Sequence, residues 1–265
     1  MSITVRLVSF IVVLFVLLCC VGLVGAESAC KSACCASAAK AECAPNELTK
    51  EQIKDGWVLL FDGKTGKGWV GIGKDKFPEA GWEIKDGVLT VNPAVKDGEK
   101  PRAGDIVTAA MYANYEFQLD FKISEGANSG IKYFVREEDA KRGRGLGLEY
   151  QILDDNKHPD AKQGKENNRT VSSLYDLIAA DKGKKFNGVG EWNTAKIVSK
   201  GKHIEHWLNG KKVLEYERGS KAFMELIVVS KYNDKKDFGL AEKGHILLQD
   251  HNDLVSFRNI MVKKL

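Results

Sequence analysis

Residues 203–216, HIEHWLNGKKVLEY, hold two short alternating runs, HIEHWL (203–208) and KVLEY (212–216), on either side of Asn209-Gly210. Asn-Gly is among the strongest short-range hairpin signals, because both central residues of the tight turn take positive φ. In the first run Ile204 and Leu208 share one side and carry His206 with them, while His203, Glu205 and Trp207 share the other. The segment reads as an antiparallel hairpin with one face in a core and His206 as a structural histidine.

The same rhythm extends in both directions. Runs at 57–61 (WVLLF), 82–84 (WEI), 88–91 (VLTV), 115–123 (YEFQLDFKI), 130–135 (GIKYFV), 148–153 (LEYQIL) and 194–199 (TAKIVS) precede the hairpin. Those at 245–251 (HILLQDH) and 255–262 (VSFRNIMV) follow it. Asp62-Gly63, Asp86-Gly87 and Gly126-Ala-Asn-Ser-Gly130 punctuate them. Short strands with frequent turn signals and no βαβ alternation predict an all-β, antiparallel sandwich or barrel. One short helix is expected within Asn46–Asp55. Two longer connections, 154–172 and 217–244, break the rhythm, and loops of that length are usually functional or disordered.

Alternation also assigns faces. Leu148, Tyr150 and Ile152 point to the core, which leaves Glu149 and Gln151 outside. Ile246 and Leu248 point inward, opposite Gln249 and His251. The outer face of one sheet is thus expected to collect Glu149, Gln151, Gln249, His251, Glu205 and Trp207. A curved sandwich offers a cleft there.

Lys and Arg number 40 against 36 Asp and Glu, a net charge of +4 spread along 265 residues. That balance argues against a nucleic-acid footprint. All six cysteines lie at or before Cys43, so the remaining chain has no disulfide, thiolate metal site or cysteine nucleophile. Residues 1–26 read as a secretory signal peptide: Arg6 is the basic start, Phe10–Leu23 the apolar run, and Val24-Gly25-Ala26 the small-residue cleavage site. The alternatives are an N-terminal membrane anchor, since the run is at the short edge of bilayer-spanning length, and lipid attachment near Cys19-Cys20. Residues 27–45 read as a Cys/Ala/Ser-rich linker in which Cys30, Cys34, Cys35 and Cys43 allow two disulfides after export. The domain is placed at 46–265. The expected location is periplasmic or extracellular.

Glu149 is a charged group in mid-strand and is hard to explain as a surface residue. Glu149, Asp154 and Asp155 lie within seven residues; paired carboxylates serve as acid and base when their environments push their pKa values apart. The competing reading of Asp154-Asp155 is a turn or helix cap. All five histidines fall between His158 and His251. His251 is the best functional candidate, at a strand end beside Gln249, Asp250 and Asn252. Tyr175 and Trp207 are of a kind that stacks on sugar rings, though large aromatics are more often core. Arg169 suits an oxyanion or a partner for the acids; Asn168-Arg169-Thr170 is also a glycosylation sequon. No G-x-S-x-G, H-E-x-x-H, Walker or dinucleotide-binding motif occurs.

Several longer stretches resemble one family. They are Gly126-Ala-Asn-Ser-Gly-Ile-Lys-Tyr-Phe-Val135, Glu149-Tyr-Gln-Ile-Leu-Asp-Asp155 with His158-Pro-Asp-Ala161, Asn168-Arg-Thr170 with Ser173-Leu-Tyr-Asp-Leu-Ile178, Gly190-Glu-Trp-Asn193, Ile204–Gly210, and Gly244–His251 with Phe257-Arg-Asn-Ile260. Together, over roughly 55–265, they resemble the 3-keto-disaccharide hydrolase family. Asn252 stands where that family has glycine, and Asn tolerates positive φ well. The resemblance implies an antiparallel jelly-roll β-sandwich of the concanavalin-A-like lectin/glucanase type, with a carbohydrate cleft and 3-keto-glycosides as substrates. It carries over Glu149, Gln151, Asp154, His158, Arg169, Tyr175, Glu205, Gln249 and His251.

A 3-keto group makes the C2 hydrogen of a sugar acidic and places the anomeric leaving group β to the carbonyl. The implied route is C2 proton removal, elimination and water addition, which needs a base, an acid and something to hold an oxyanion. Glu149 or His251 is expected as base, with Asp154 and His158 as further catalytic candidates. Arg169 or a divalent ion is expected at the oxyanion, and His158, His251 and a carboxylate form a conceivable N/O ligand set. Gln151, Tyr175, Glu205, Trp207 and Gln249 are assigned to substrate binding. Two alternatives are a carbohydrate-binding module without catalysis and a conventional glycosidase.

Overall fold

Tyr115–Ile123 follows its alternation residue by residue, with Tyr115, Phe117, Leu119, Phe121 and Ile123 buried and the residues between them half-buried. The computed structural model describes residues 44–93 and 104–265. The segment expected to be a signal peptide, nearly all of the segment expected to be a linker, and all six cysteines lie outside the described residues.

Thirteen strands form two antiparallel sheets among the described residues. The larger sheet contains β1 (Trp57–Leu59), β3 (Trp82–Lys85), β4 (Val88–Val91), β6 (Tyr115–Ile123), β9 (Asn193–Lys200), β10 (His203–Leu208), β11 (Lys211–Glu217) and β13 (Val255–Lys264). Its order is β11-β10-β9-β6-β13-β4-β3, with β1 paired to the C-terminal half of β13. The smaller sheet contains β2 (Trp69–Gly71), β5 (Ile106–Thr108), β7 (Asn128–Val135), β8 (Leu148–Leu153) and β12 (His245–Leu248), in the order β2-β5-β12-β7-β8. The class is all-β, an antiparallel jelly-roll sandwich. Its short helices are α1 (Lys50–Lys54), α2 (Glu137–Lys141) and α3 (Lys221–Val228), and a 3-10 turn spans Pro159–Lys162.

The predicted hairpin closes as expected. Asn209 (φ 48°) and Gly210 (φ 78°) both take the left-handed conformation. Asp86 and Gly87 do the same between β3 and β4. Asp62-Gly63 does not make a hairpin, because β1 and β2 belong to different sheets. The Asp62 carboxylate instead accepts from the backbone of Lys64 and Thr65 and shapes a loop.

The inner faces of both sheets meet in one core, with Phe117, Phe121 and Phe257 from the larger sheet and Ile131, Tyr133, Tyr150 and Leu248 from the smaller. His206 is fully buried there. Its Nε2 lies 2.7 Å from the Tyr133 hydroxyl and its Nδ1 lies 3.0 Å from the Ser172 carbonyl. Burial lowers its pKa to about 4, so the ring is neutral at pH 7.

One expectation about faces is corrected. β10 belongs to the larger sheet, whereas β8 and β12 belong to the smaller. Glu205 and Trp207 therefore point away from the sandwich on the side opposite Glu149, Gln151 and Gln249. Alternation tells which residues share a side of one strand, and pairing order decides which strands share a sheet.

Candidate active site

The site is built on the outer face of the smaller sheet. In β7 and β8 the cross-strand pairs are Lys132 with Glu149 and Gly130 with Gln151. The backbone N–H of Gln249 donates to the Gly130 carbonyl at 3.0 Å. Gln151, Gly130 and Gln249 thus lie in one row across three strands, with Glu149 and Lys132 in the adjoining row. Gly130 leaves room for the Glu149 side chain: a Cβ there would lie 2.6 Å from Glu149 Oε1. The rest of this face is apolar, where Val107, Val135, Ala140 and Leu247 pack together and α2 supplies Ala140.

Connections raise walls around the polar part. Gly145–Gly147, His158–Asp160, Tyr175, Lys231, Tyr232 and the rim residue His251 enclose a cleft of about 530 Å³ floored by Asn128, Lys132, Glu149, Gln151 and Gln249. The two longest connections of the sequence therefore supply much of the enclosure.

Glu149 is the electrostatic centre. It is 5% exposed, and its ion pair with Lys132 Nζ is long, at 4.0 Å. Burial pushes its pKa above the usual carboxylate range, opposed by the positive charges of Lys132, Lys231 and His251. The Lys231 ammonium sits 4.0 Å from the Tyr175 ring centroid. Lys231 is an exposed residue, yet desolvation holds its pKa below the ordinary lysine value, against the pull of Glu149. Asp105, on the strand end beside Gln249, is likewise raised by burial, with Lys132 opposing.

Arg169 does not enter the cleft. Its Nη1 donates to Asp160 Oδ1 and its Nε to Asp176 Oδ1, both at 2.7 Å. Asp160 Oδ2 accepts from the Tyr175 hydroxyl at 2.7 Å, and Asp176 Oδ2 accepts from the backbone N–H of Lys231 at 2.8 Å. One guanidinium thereby ties together the 3-10 turn, the Tyr175 loop and the Lys231 segment. With Nε and Nη1 each held by a carboxylate and the side chain outside the cleft lining, it is a clamp on the walls.

Asp154 is also occupied elsewhere. It is 2% exposed and accepts from the backbone N–H groups of Gly126, Asn156 and Lys157, which makes it the turn cap of the competing reading. Glu205 accepts from Trp207 Nε1 at 2.7 Å and pairs with Lys212 on the far sheet. Trp207 carries Lys196 over its ring there, so neither binds in this cleft. Glu149, Gln151, His158, Tyr175, Gln249 and His251 do come together.

The N/O ligand set expected from His158, His251 and a carboxylate is not assembled. Among the described residues the ligand atoms that converge within 4.8 Å belong to His203, Glu205 and Glu215, on the opposite sheet. His158 Nδ1 already accepts from Asp160 N–H at 3.2 Å. The cations built into the cleft are Lys132 and Lys231. Sequence reasoning missed both, along with Asn128 and Asp160. Lys132 carried the same signal as Glu149, a charge in mid-strand; Asn128 was hidden inside a segment read as a turn; Lys231 lies in an aperiodic connection with no signal.

A family profile described as the 3-keto-alpha-glucoside-1,2-lyase-like domain matches residues 56–263. A curated 3-keto-disaccharide hydrolase of Bacteroides thetaiotaomicron is 39% identical over 236 residues, covering 80% of this chain and 79% of the relative. A crystal structure of a candidate glycosyl hydrolase from Parabacteroides distasonis superposes with a TM-score of 0.73 at 32% identity, covering 83% of this chain and 99% of that one. A second from the same organism gives 0.56 at 31% identity, covering 79% and 99%. Sandwich, polar cleft and kinship together define a glycoside-cleaving enzyme. The chain belongs to the 3-keto-alpha-glucoside-1,2-lyase-like domain family.

Proposed function

We propose that the cleft cleaves 3-keto-glycosides by removing the C2 proton, with Glu149 as the base. The observation that carries this reading is Glu149 itself: a desolvated carboxylate in mid-sheet, flanked by Lys132 and Lys231, with its only ion pair among the described residues a loose one. Desolvation makes a carboxylate a stronger base by raising its pKa toward the working pH. The name of the Bacteroides relative, a 3-keto-disaccharide hydrolase, supports the same substrate class.

Glu149 takes the hydrogen from C2, and the electron pair of that bond forms a C2–C3 double bond with negative charge on the C3 oxygen. Lys231 and Lys132, in place of Arg169, hold that oxyanion. The charge returns, the C1–O bond breaks, and the aglycone oxygen leaves with the pair. His251 at the rim supplies its proton, with His158 on the facing wall to steady the leaving group. Water then adds its hydroxyl to C1 and its proton to C2 of the enone, for net hydrolysis. This route does not need the fixed carboxylate spacing of a conventional glycosidase.

The test is aglycone release from a 3-keto-glucoside and from its unoxidised parent. Release from the keto sugar alone, lost in Glu149→Gln, is expected. Equal release from both sugars, or full activity in Glu149→Gln, would overturn the reading. We also propose that residues 1–26 direct export and that 46–265 is the catalytic domain. N-terminal sequencing of the mature protein tests the first: a start near residue 27 is expected, and a retained Met1 contradicts it.

A further inference from the structure

Asn128, Gln151 and Gln249 line the floor of the cleft and are 6%, 1% and 8% exposed. Each leaves one amide atom, Asn128 Oδ1, Gln151 Nε2 and Gln249 Oε1, without a hydrogen-bond partner among the described residues. Buried polar groups are otherwise almost always paired, and each exception is costly. Three exceptions under one cleft, offering two acceptors and one donor, suit a ligand with hydroxyl groups. Rotation about the last torsion of an amide is broad and easy, and it turns these atoms from the floor toward a bound molecule.

The row of the sheet gives the ligand its place. Gln151 and Gln249 stand on the two strands flanking Gly130, and neighbouring strands are about 4.8 Å apart, so roughly 9–10 Å separates their backbones. The residue between them has no side chain. The result is a slot one ring wide, with Gly130 as its base and an amide on either side. Glu149 reaches in from the Lys132 end, and its Oε1 lies 2.6 Å from where a Gly130 Cβ would be, so the carboxylate rests at Gly130 between the two amides. Asn128 lies two residues along β7 at the other, roughly 7 Å away. That step is about the span of a pyranose with its substituents.

We propose that Gly130 and the amides of Asn128, Gln151 and Gln249 form a slot that seats the non-reacting edge of the glycone and reads its C4 and C6 hydroxyls. This rests on the reading of Glu149 as the base, because C2 over Glu149 directs the opposite edge, C4 and C6, along β7 toward Asn128, with the two glutamines on its flanks. A ring bearing a substituent on either hydroxyl does not fit between the two glutamines. The enzyme then acts on the terminal sugar of a chain and not within it.

The experiment is a coupling cycle. Wild type, Gln151→Met and Gln249→Met are each given a methyl 3-keto-glucoside and its 4-deoxy and 6-deoxy analogues. Each variant is expected to lose roughly 10- to 100-fold in kcat/KM on the full substrate. Wild type is expected to lose similarly on at least one deoxy analogue. The variant that faces that hydroxyl should then show little further loss on the analogue, because the contact is already gone. Losses that multiply independently in every combination overturn the slot. Undiminished activity on both deoxy sugars also overturns it.

Calorimetric binding of the unoxidised methyl glucoside and its deoxy analogues to the same proteins gives a readout without turnover. Failure of wild type to convert any 3-keto sugar would sink the proposed reaction. Coupled binding losses in that case still support the slot, and uncoupled ones still reject it. Gly130→Ala serves as a second variant: with a folded core by thermal melt, it is expected to bind neither sugar.

Discussion

At the residue scale, the proposed activity turns on how one carboxylate is kept basic. Lys231 favours the charged form of Glu149, while burial disfavours it. Replacing that lysine leaves desolvation less opposed, so Glu149 holds its proton to higher pH. The acid limb of the kcat/KM profile in Lys231→Met is expected to move upward. An unmoved limb would separate Lys231 from Glu149. His206 gives a second, independent test. Its folded pKa of about 4 lies below the ordinary 6.5, so between those values the unfolded chain binds more protons. Its contribution to stability is full above pH 6.5 and is lost as the pH falls toward 4, on the order of 3 kcal/mol in all. Unfolding free energies of wild type and His206→Gln at pH 7 and pH 4.5 measure it. The variant should lack that part of the decline; an identical decline would reject it.

At the scale of elements, alternation and turn chemistry located most strands. Tyr115–Ile123, Leu148–Leu153 and His203–Leu208 form with the ends read from the sequence, because each has a clean period of two and a turn signal beside it. β2 and β5 escaped notice, being only three residues long, with β5 buried throughout and so without alternation. α3 escaped because KAFMELIV is an apolar run in a connection, and only the Ser220 cap, accepting from Phe223 N–H, marks its start. The Asn209-Gly210 turn is open to direct test. A Cβ on Gly210 meets nothing within 4 Å, so Gly210→Ala isolates the backbone cost of positive φ, roughly 1 kcal/mol. Asn209→Ala should cost more, since the Asn209 side chain also donates to Lys185 O and accepts from Thr194 N–H. Thermal melts of the two variants rank them; a costlier Gly210→Ala would reverse the assignment of what holds the turn.

At the scale of the molecule, the candidate site was legible only in part. Glu149, Gln151, Gln249 and His251 were found because the pleat fixes which side of a strand a residue faces. Glu205 and Trp207 were drawn in wrongly, because nothing in a local pattern says that β10 pairs into the other sheet. Arg169 was assigned to an oxyanion because its partners, Asp160 and Asp176, are known only once the long connection between β8 and β9 folds back on itself. Long-range pairing and loop packing are the two properties that period and propensity do not encode.

The most direct test is the fate of the C2 hydrogen. The enzyme is given a 3-keto-glucoside in deuterium oxide, and the released sugar is examined by NMR at early times against 3-keto-glucose incubated alone. Deuterium at C2 in excess of that control, absent with Glu149→Gln, is the expected result. Aglycone released at the normal rate with the original hydrogen still on C2 would contradict it.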